Sequence, residues 1–425
     1  MANYNLSTAT GVFKTKYVRM SRDMFNSENV VLAKIKRNDV FVGDQAIISV
    51  PTTFGGGRGS GVLPRANATN YAKMLITSKR TYALVEVDNE AIKASQTDEG
   101  AFVRLSKEPV KRGVQGWQGN ASRILFNDAT SNGGIGNGRL GRFTATPANI
   151  SAGVYDIVIL SSGDGAFKLA NWEPKDYVNV VPSSGAYAGY GTGTEFEITN
   201  VTASSNTIRL THTNGPLFDL ALLSGPSDNE VYMQNSKGND PTGLRGALLA
   251  TSGSLYNVNI GYRWQAPSQI AAASAGITTD LLNKQVLDIK YSFGETPDMF
   301  VTSFVQYRKL LNQLEDQKRY MIVESRNAGP RGKFSFQALE FMADTGPIPV
   351  IAERFVENDT LYTLNSAFIE MHARPEGGWI EDPTANGSIF RQSPTSDTWQ
   401  ARYAVYFEFG IIPSAHGIIT GLSTT

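Results

Sequence analysis

The residue types that most often carry catalysis or bind metals are few in this sequence and lie far apart. There is no cysteine, which excludes thiolate nucleophiles, disulfide bonds and cysteine metal sites. The three histidines, His212, His372 and His416, lie in separate segments, and no pair has the spacing of metal ligands. No Gly-x-Ser-x-Gly nucleophile elbow occurs. The sequence therefore predicts no catalytic site, no metal site and no cofactor.

Two glycine-rich stretches have the composition of phosphate-binding loops, but their context is wrong. Phe54–Gly61 lacks the Gly-Lys-Ser/Thr sequence that opens a helix in such a loop. Gly136, Gly138 and Gly141 match the spacing of a dinucleotide-binding fingerprint, which must follow a strand and open a helix. Here the three glycines follow a predicted helix. We interpret residues 132–141 as a linker.

The composition limits the class of protein. The 425 residues are 41% hydrophobic, which suffices for two to four modules with their own cores. The 39 basic and 39 acidic residues balance, so the whole molecule is not a polyanion binder. No apolar run reaches the length of a transmembrane helix, and the first twenty residues lack the apolar core of a secretion signal. We expect a soluble protein with many turns and much β structure, made in the cytoplasm.

The longest periodic pattern runs from Asp98 to Asp128. Its apolar residues follow each other at intervals of seven, four, three, four and three, which is helical spacing, at Val103, Val110, Val114, Trp117, Ala121 and Ile124. A helix over the whole stretch would be ~45 Å long, which favours a spine over a plain core helix. Pro109 predicts a bend, and the glycines at 113, 116 and 119 predict that another part of the molecule closely approaches the helix backbone there.

The segments before this spine have little core of their own. Between Met1 and Val42 there are seven basic residues and three acidic ones, which is typical of an arm on a neighbouring surface or of a disordered tail. Ala46–Val50, Lys73–Thr77 and Thr81–Val87 are predicted strands. Residues 45–85 contain no acidic residue and five basic ones: Arg58, Arg65, Lys73, Lys79 and Arg80. A basic hairpin with a glycine-rich tip is barely stable alone, so we expect it to lie on another surface.

Residues 144–243 differ in character from the rest, with ten acidic residues and four basic ones. Five short strands are predicted between turn signals: Tyr155–Leu160, Asp176–Val181, Glu195–Val201, Thr207–Thr213 and Leu217–Leu223. This pattern predicts an inserted small barrel or sandwich that folds by itself, either as an acidic binding module or as surface decoration.

The last part is predicted to mix helices and strands. We expect a helix over Thr279–Ile289 capped by Thr279 or Asp280, and a helix from Gln306 to Lys318 with Tyr307, Leu310, Leu311 and Leu314 facing inward. The predicted strands are Met299–Thr302, Gly346–Ile351, Thr360–Asn365, Ala367–Ala373 and Arg402–Phe409.

The order of these parts resembles the major capsid proteins of tailed bacteriophages, which have the Hong Kong 97-type fold. The more specific blocks, in order, are Pro297–Thr302 before Tyr307–Leu311, Gly346–Val350 before Asp359–Asn365, and Arg402–Phe407 before Pro413–Gly417. The resemblance implies an α+β capsid fold with an N-terminal arm (1–43), an extended β-hairpin loop (44–87) and a peripheral domain with the spine helix (88–142). It implies next an inserted small β-barrel-like domain (143–243), an axial domain with returning peripheral-domain strands (244–400) and a C-terminal peripheral-domain strand (401–425).

The resemblance implies a structural function. The chain would assemble with itself as hexamers and pentamers into an icosahedral head around double-stranded DNA, in the virion and after assembly in the bacterial cytoplasm. A scaffolding protein, a portal and a decoration protein are further implied partners, DNA contact would be non-specific, and no membrane is involved. The absence of a long helical segment before the arm indicates a separate scaffolding protein or a prodomain already removed.

The resemblance also implies contacts between subunits. The extended loop, with Arg58, Arg65, Lys73, Lys79 and Arg80, would lie on acidic residues of the next subunit, among them Glu315, Asp316, Glu357 and Asp359, with Asp298 and Glu353 nearby. Lys73 and Lys79 are the lysines that could form a covalent crosslink between subunits. The sequence does not indicate which residue would be their crosslinking partner.

Two other classes of protein remain open at the level of sequence. A cellular nanocompartment shell of the encapsulin type would share the fold and enclose enzymes, but the inserted region and the lengthy arm speak against it. A surface adhesin or fibre would fit the glycine, serine, threonine and asparagine content. The long helix and the missing secretion signal speak against a fibre.

Overall fold

A computed structural model describes residues 30–38, 41, 45–51, 70–89, 113–130, 136–182, 195–214, 229–261, 263–316, 339–343, 346–374, 378–381, 389–393 and 397–424. The chain is α+β, with many strands and few helices. The helices are α1 (Val30–Lys34), α2 (113–125), α3 (Leu244–Leu249), α4 (Thr279–Phe293) and α5 (Phe304–Asp316). None of the helices in these ranges has the length and apolar character needed to span a membrane.

The strands, in chain order, fall into four groups. The first group is β1 (Lys36–Asn38), β2 (Gln45–Pro51), β3 (Tyr71–Thr77) and β4 (Lys79–Asp88). The second is β5 (Gly141–Phe143), β6 (Ala148–Ser151), β7 (Val154–Val158), β8 (Tyr177–Pro182), β9 (Glu195–Thr202), β10 (Thr207–Asn214) and β11 (Asn229–Met233). The third is β12 (Ser254–Leu255), β13 (Val258–Asn259), β14 (Ser268–Ala271), β15 (Met299–Thr302), β16 (Leu339–Ala343), β17 (Gly346–Ala352) and β18 (Leu361–Leu364). The last is β19 (Ile369–Ala373), β20 (Gly378–Trp379), β21 (Phe390–Gln392), β22 (Thr398–Ile411) and β23 (Gly417–Thr420).

The first large sheet has six strands and is built around β22. One side of β22 pairs with β19, β20 and β21, and its other side pairs with β4 over ten consecutive residues. Helix α2 lies on one face, where the Trp117 ring packs edge-on against Tyr403 and Phe407. The stripe positions from Val114 to Ile124 are buried as predicted, but so are Gln118 and Arg123 off the stripe, so α2 is buried on more than one side.

Glycines in α2 serve close packing at one position only. A Cβ on Gly113 would lie 2.6 Å from Val85 Cγ2, so the predicted close approach is confirmed there, although it is to a side chain. The same prediction is wrong for Gly116, whose Cβ would meet nothing within 4 Å. Residues 98–112, with the predicted bend at Pro109, lie outside the described residues.

A second sheet, in the order β14-β23-β18-β15-β17-β16, carries α4 and α5. Strand β15 occupies Met299–Thr302 as predicted, and all four of its residues are buried. Helix α4 is capped by Thr278, whose hydroxyl accepts the Leu281 N–H, so the expected cap at Thr279 or Asp280 is wrong by one residue. In α5, Leu310 is 3% exposed but Leu311 is 39% exposed, because only one of two adjacent leucines can face the sheet.

The third sheet contains seven strands from residues 141–233, in the order β5-β11-β8-β9-β10-β7-β6. Its inward residues form a separate hydrophobic cluster that includes Phe143, Ile157, Val180 and Phe196. The predicted strands Glu195–Val201 and Thr207–Thr213 form the antiparallel hairpin β9–β10, with a 3₁₀ turn at Ala203–Ser205. The sequence did not predict β5, β6 and β11, and the predicted strand at Leu217–Leu223 lies outside the described residues.

The end of the predicted N-terminal arm belongs to the core. Val31 and Leu32 of α1 are 0% and 2% exposed, and β1 pairs in parallel with β19. Strand β1 is therefore part of the first sheet, and α1 packs into the core through Val31 and Leu32, while Val30 is 54% exposed. Residues 1–29 lie outside the described residues.

Strands β2 and β3 form a two-stranded antiparallel ribbon. One face is anchored, since Met74 and Ile76 are 1% and 0% exposed and the Leu75 N–H donates to the Tyr256 carbonyl. The other face leaves Ile47 and Tyr71 exposed. The tip at residues 52–69 lies outside the described residues.

Replacing Trp117 by alanine tests the packing of α2 on the first sheet. The ring is 4% exposed, and its Nε1–H donates to Thr81 Oγ1 at 2.9 Å. We expect Trp117→Ala to lower the free energy of unfolding by about 3–5 kcal/mol, measured by chemical denaturation. Tyr291→Ala, at an 88% exposed position, is the control and should change it by less than about 0.5 kcal/mol. Equal stability of the two variants would contradict the packing.

Candidate functional site

Arg139, just before β5, is buried among three carboxylates. Its Nε lies 2.8 Å from Asp128 Oδ2 and its Nη1 lies 2.6 Å from Glu230 Oε1. Its Nη2 contacts Asp164. A buried guanidinium is tolerated only when it is paired and hydrogen-bonded, so these contacts fix the end of α2 against β5 and β11.

The backbone beside Arg139 completes this arrangement. The N–H groups of Gly138 and Arg139 donate to Asp128 Oδ1 at 2.9 and 3.1 Å. Gly138 has φ +91°, and a Cβ there would lie 2.7 Å from Asp240 Oδ2, so glycine is required. The interpretation of 132–141 as a linker is therefore wrong for residues 138–140, which are buried around the Asp128 carboxylate.

A second buried arginine, Arg245 in α3, extends the network into the rest of the chain. Its Nη2 lies 3.2 Å from Asp164 Oδ1 and its Nη1 lies 3.7 Å from Glu357 Oε2. Glu357 Oε1 also accepts from Lys168 Nζ. We call this connected set the ionic joint, and it consists of Asp128, Arg139, Asp164, Lys168, Glu230, Arg245 and Glu357.

Tyrosine hydroxyls and cations hold the carboxylates of the ionic joint in place. Tyr232 donates to Glu230 Oε2 at 2.6 Å, and Tyr362 donates to Glu357 Oε2 at 3.1 Å. Burial acts to raise the pKa of Asp164 and of Glu357, but the neighbouring cations outweigh it and hold both below their usual range. Burial raises the pKa of Asp128 to about 6 despite Arg139.

Two further acids, the buried Glu408 and the half-buried Asp240, have raised pKa values. Glu408 of β22 accepts the N–H groups of Thr242 and Phe409, and it lies opposite His372 in the β19–β22 pairing. Burial raises the pKa of Glu408 to about 8 and that of Asp240 to about 7. At neutral pH, Glu408 is therefore mostly protonated.

Two of the predicted intersubunit contacts are wrong. Glu357 and Asp359 are each 4% exposed within a single chain, and Glu357 is bound by Lys168 and Arg245. Asp359 accepts from Thr360 Oγ1 at 3.1 Å and from the Gly163 N–H at 3.3 Å. These carboxylates cannot face a neighbouring subunit. Glu353, named with them, is also buried, at 7% exposed.

The remaining predicted contact residues divide into three groups. Lys73 and Arg80 are exposed, on the outer faces of β3 and β4. Lys79 is half-buried, and its Nζ donates to the Gly238 carbonyl of the same chain at 3.3 Å. Arg58, Arg65 and the side chains of Glu315 and Asp316 lie outside the described residues.

The ionic joint was not predicted from the sequence, although one residue pattern indicates a part of it. Arg245 interrupts the apolar run Leu244–Leu249, and an arginine inside such a run is buried only with acidic partners. Arg139 and Asp164 lie in glycine-rich turns, where charged residues are ordinarily exposed. No pattern in the sequence therefore indicates that these two side chains are buried.

The contacts of the ionic joint are structural, since they connect segments that lie far apart in the chain. Each carboxylate of the ionic joint has a cationic partner, which leaves none poised as a base. Over the described ranges, no group of three or more acidic or histidine side chains could hold a metal ion. An open groove of about 570 Å³, lined in part by Leu169, Phe304 and Arg354, lies beside the ionic joint.

Removing one arginine of the ionic joint tests its contribution to stability. We expect Arg245→Met to lower the free energy of unfolding by about 3–5 kcal/mol in chemical denaturation, because it leaves buried carboxylates with fewer cations. Arg354→Met, an exposed arginine of the neighbouring loop, is the matched control. If both variants unfold at the wild-type denaturant concentration, the ionic joint does not hold the fold together.

The protonation of Glu408 predicts a dependence of stability on pH. The folded protein keeps this proton up to a pH of about 8, whereas a free glutamate loses it near 4.5. Folding takes up a proton between these values, so stability should fall as pH rises through this window, by at most about 1.4 kcal/mol per pH unit. His416, whose pKa burial lowers to about 4, acts in the opposite direction only below about 6.5.

Thermal unfolding at pH 7.0 and pH 8.0 measures this effect. The wild-type protein should lose stability between the two values, and Glu408→Gln should lose less because glutamine does not titrate. An equal loss in both proteins would contradict the assignment of the proton to Glu408.

No protein-family model matches the chain, and no curated protein matches it. Among similar solved structures is the cyanophage A-1(L) capsid asymmetric unit, with 10% identity and a TM-score of 0.48, covering 92% of this chain and 90% of that chain. The capsid of a native GTA particle has 10% identity and a TM-score of 0.42, covering 93% and 94%. The holo-SrpI encapsulin complex from Synechococcus elongatus PCC 7942 has 8% identity and a TM-score of 0.40, covering 92% and 86%.

Proposed function

We propose that this chain is the structural subunit of a tailed-bacteriophage head, which assembles with itself into an icosahedral shell around double-stranded DNA. The observation that carries the proposal is the exposure of large apolar side chains along three consecutive strands. Ile47, Tyr71, Tyr82 and Leu84, on β2, β3 and β4, are between 53% and 67% exposed. A protein that works alone rarely leaves several large apolar side chains exposed on strands that follow each other in the chain.

The shape of the subunit supports the same proposal. The β2–β3 ribbon is anchored by Met74 and Ile76 on one face only, and its other face has no cover among the described residues. A two-stranded ribbon of this kind is marginally stable without a neighbour. An assembling subunit provides that neighbour, because association stabilises the assembled conformation.

The interior supports a structural role over a catalytic one. The charges of the ionic joint pair with each other and join three parts of the chain. Arginines and acids paired in this way hold the parts of a structural subunit together. They do not leave a titratable group facing a substrate.

Finer features of the proposal come from the sequence resemblance. Hexamers and pentamers would form the shell, with a scaffolding protein, a portal and a decoration protein as further partners. Assembly would occur in the bacterial cytoplasm and the product would be the virion. The zero net charge suits a wall around DNA, because a strongly cationic inner face would bind the genome tightly.

We also propose that residues 143–243 form an inserted barrel-like domain. Its separate hydrophobic cluster supports a domain, and the Leu160 N–H, which donates to the Arg142 carbonyl at 2.9 Å, brings the end of β7 back to β5. The other proposed boundaries are those given by the sequence: 1–43, 44–87, 88–142, 244–400 and 401–425. The ionic joint would couple the inserted domain to the rest.

Electron microscopy and sedimentation of the purified full-length chain test the proposed function. We expect closed shells, or capsomer-sized oligomers that close when a scaffolding protein is supplied. A chain that stays monomeric at every concentration, with and without scaffolding protein, would contradict the proposal. Shells that enclose enzymes and exclude DNA would identify a nanocompartment instead.

A variant of the glycine-rich tip separates assembly from folding. Deleting residues 55–61 and changing Arg65 to Glu removes the tip and its basic charge. We expect soluble, folded subunits that fail to close shells, because the tip has few side chains with which to support its own subunit. Normal shells from this variant would show that the tip has no part in assembly.

A further inference from the structure

Strand β4 forms an unusually long edge of the first sheet. It pairs with β22 over ten consecutive residues without a bulge, while β19, β20 and β21 occupy the other side of β22. Within the described part of the chain, no strand pairs with the second side of β4. The other terminal strands of the three large sheets have only two to five residues.

This edge lacks the features that usually prevent a strand from pairing with another chain. Edge strands are usually protected from such pairing because they are short or contain a proline, a bulge or a central lysine. Strand β4 has no proline and no register shift, and its lysine, Lys79, is the first residue. In an antiparallel pair, alternate residues point their N–H and C=O groups away from the partner strand. Strand β4 therefore offers a regular row of hydrogen-bonding groups to a further strand.

The exposed side chains of β4 follow an order that is complementary to itself. Alternate residues face outward as Arg80, Tyr82, Leu84 and Glu86, which are basic, aromatic, aliphatic and acidic. Tyr82 and Leu84 are 53% and 55% exposed. The sequence is thus basic at one end, acidic at the other and apolar between them.

We propose that the β4 edge pairs antiparallel with the β4 edge of a second copy, about a twofold axis at Ala83. In this register, Arg80 lies beside Glu86 of the second copy, and Tyr82 lies beside Leu84 of the second copy. Each contact occurs twice, as a twofold interface requires. The pairing joins two six-stranded sheets into one continuous sheet. The inference rests on the proposed function, for which it names a subunit contact.

The charge pair in this register cannot form within one chain. Arg80 and Glu86 are six residues apart on an extended strand, which separates them by about 20 Å. In one chain, Glu86 accepts from the Gln400 side chain of the neighbouring strand, and Arg80 lies opposite Tyr406. A compensating charge exchange between these positions therefore reports contact between copies.

Charge exchange is the first experiment. Arg80→Glu and Glu86→Arg should each raise the concentration at which the chain assembles by at least about fivefold, since each places like charges side by side. The double variant Arg80→Glu/Glu86→Arg should return to within about twofold of the wild type. A double variant as impaired as the sum of the single changes would overturn the proposed register.

A cysteine at the twofold axis is the second experiment. The natural chain has no cysteine, so Ala83→Cys introduces a single thiol. Facing residues of antiparallel strands have Cα atoms about 4.5–5.5 Å apart, within disulfide range. Mild oxidation should give covalent dimers and no larger products on a non-reducing gel. Arg402→Cys, exposed on β22 away from the edge, is the matched control and should remain uncrosslinked.

This experiment distinguishes a failure of the β4 pairing from a failure of the proposed shell function. Shells that form without Ala83→Cys dimers would overturn the β4 pairing and leave the shell function standing. Dimers at this position without shells, even with scaffolding protein, would support the β4 pairing and overturn the shell function. If neither dimers nor shells form, both proposals are overturned.

Discussion

The arrangement of the whole chain depends on a single carboxylate shared by two buried arginines. Asp164 contacts Arg139 through one oxygen and Arg245 through the other. Arg139 lies just before β5, at the start of the third sheet, and Arg245 belongs to α3, the short helix that follows this sheet in the chain. Asp164 thus links the segment that enters the third sheet to the helix that comes after it. The carboxylate can do this only because both arginines have further acidic partners, Glu230 and Glu357.

Buried ion pairs of this kind determine the relative orientation of the segments they join more than they add net stability. The cost of removing each charge from water offsets much of the attraction. Hydrophobic clusters supply the driving force in each part of the molecule. The ionic joint then limits how those parts can be placed, since a shift of the third sheet would leave Lys168 or Asp164 without a partner. Stability and orientation therefore come from different interactions.

Much of the secondary structure followed from local pattern. Strand β15 lies at Met299–Thr302 as predicted, and the β9–β10 hairpin forms around Ala203–Ser205, because short apolar runs between turn residues have few alternatives. Helix positions were predicted less well where two leucines adjoin, as at Leu310 and Leu311. Strand β22 was predicted over eight residues and extends over fourteen. Its ends are extended because they pair with other strands.

The buried charges could not be predicted from local pattern. Arg139 binds acids that are 25 and 91 residues away, and Arg245 binds one that is 81 residues away. Glu357 and Asp359 illustrate the resulting error. In the sequence they belong to an acidic turn, which is ordinarily solvated, and only the approach of Lys168, Arg245 and Gly163 from distant segments makes them interior residues.

The central position of β22 has a consequence for the time at which the subunit folds. This strand comes from the last part of the chain, yet α2 packs on it and β4 pairs with it, with Thr81 bonded to Val405 across 324 residues. Contacts of such sequence separation form late, and a chain emerging from a ribosome cannot form them before residues 398–411 have been released. The β4 strand and the face of α2 are thus without their partner throughout synthesis. The chain can acquire these native surfaces only after residues 398–411 have left the ribosome, so a shorter nascent chain lacks the β4–β22 pair and the surface on which α2 packs.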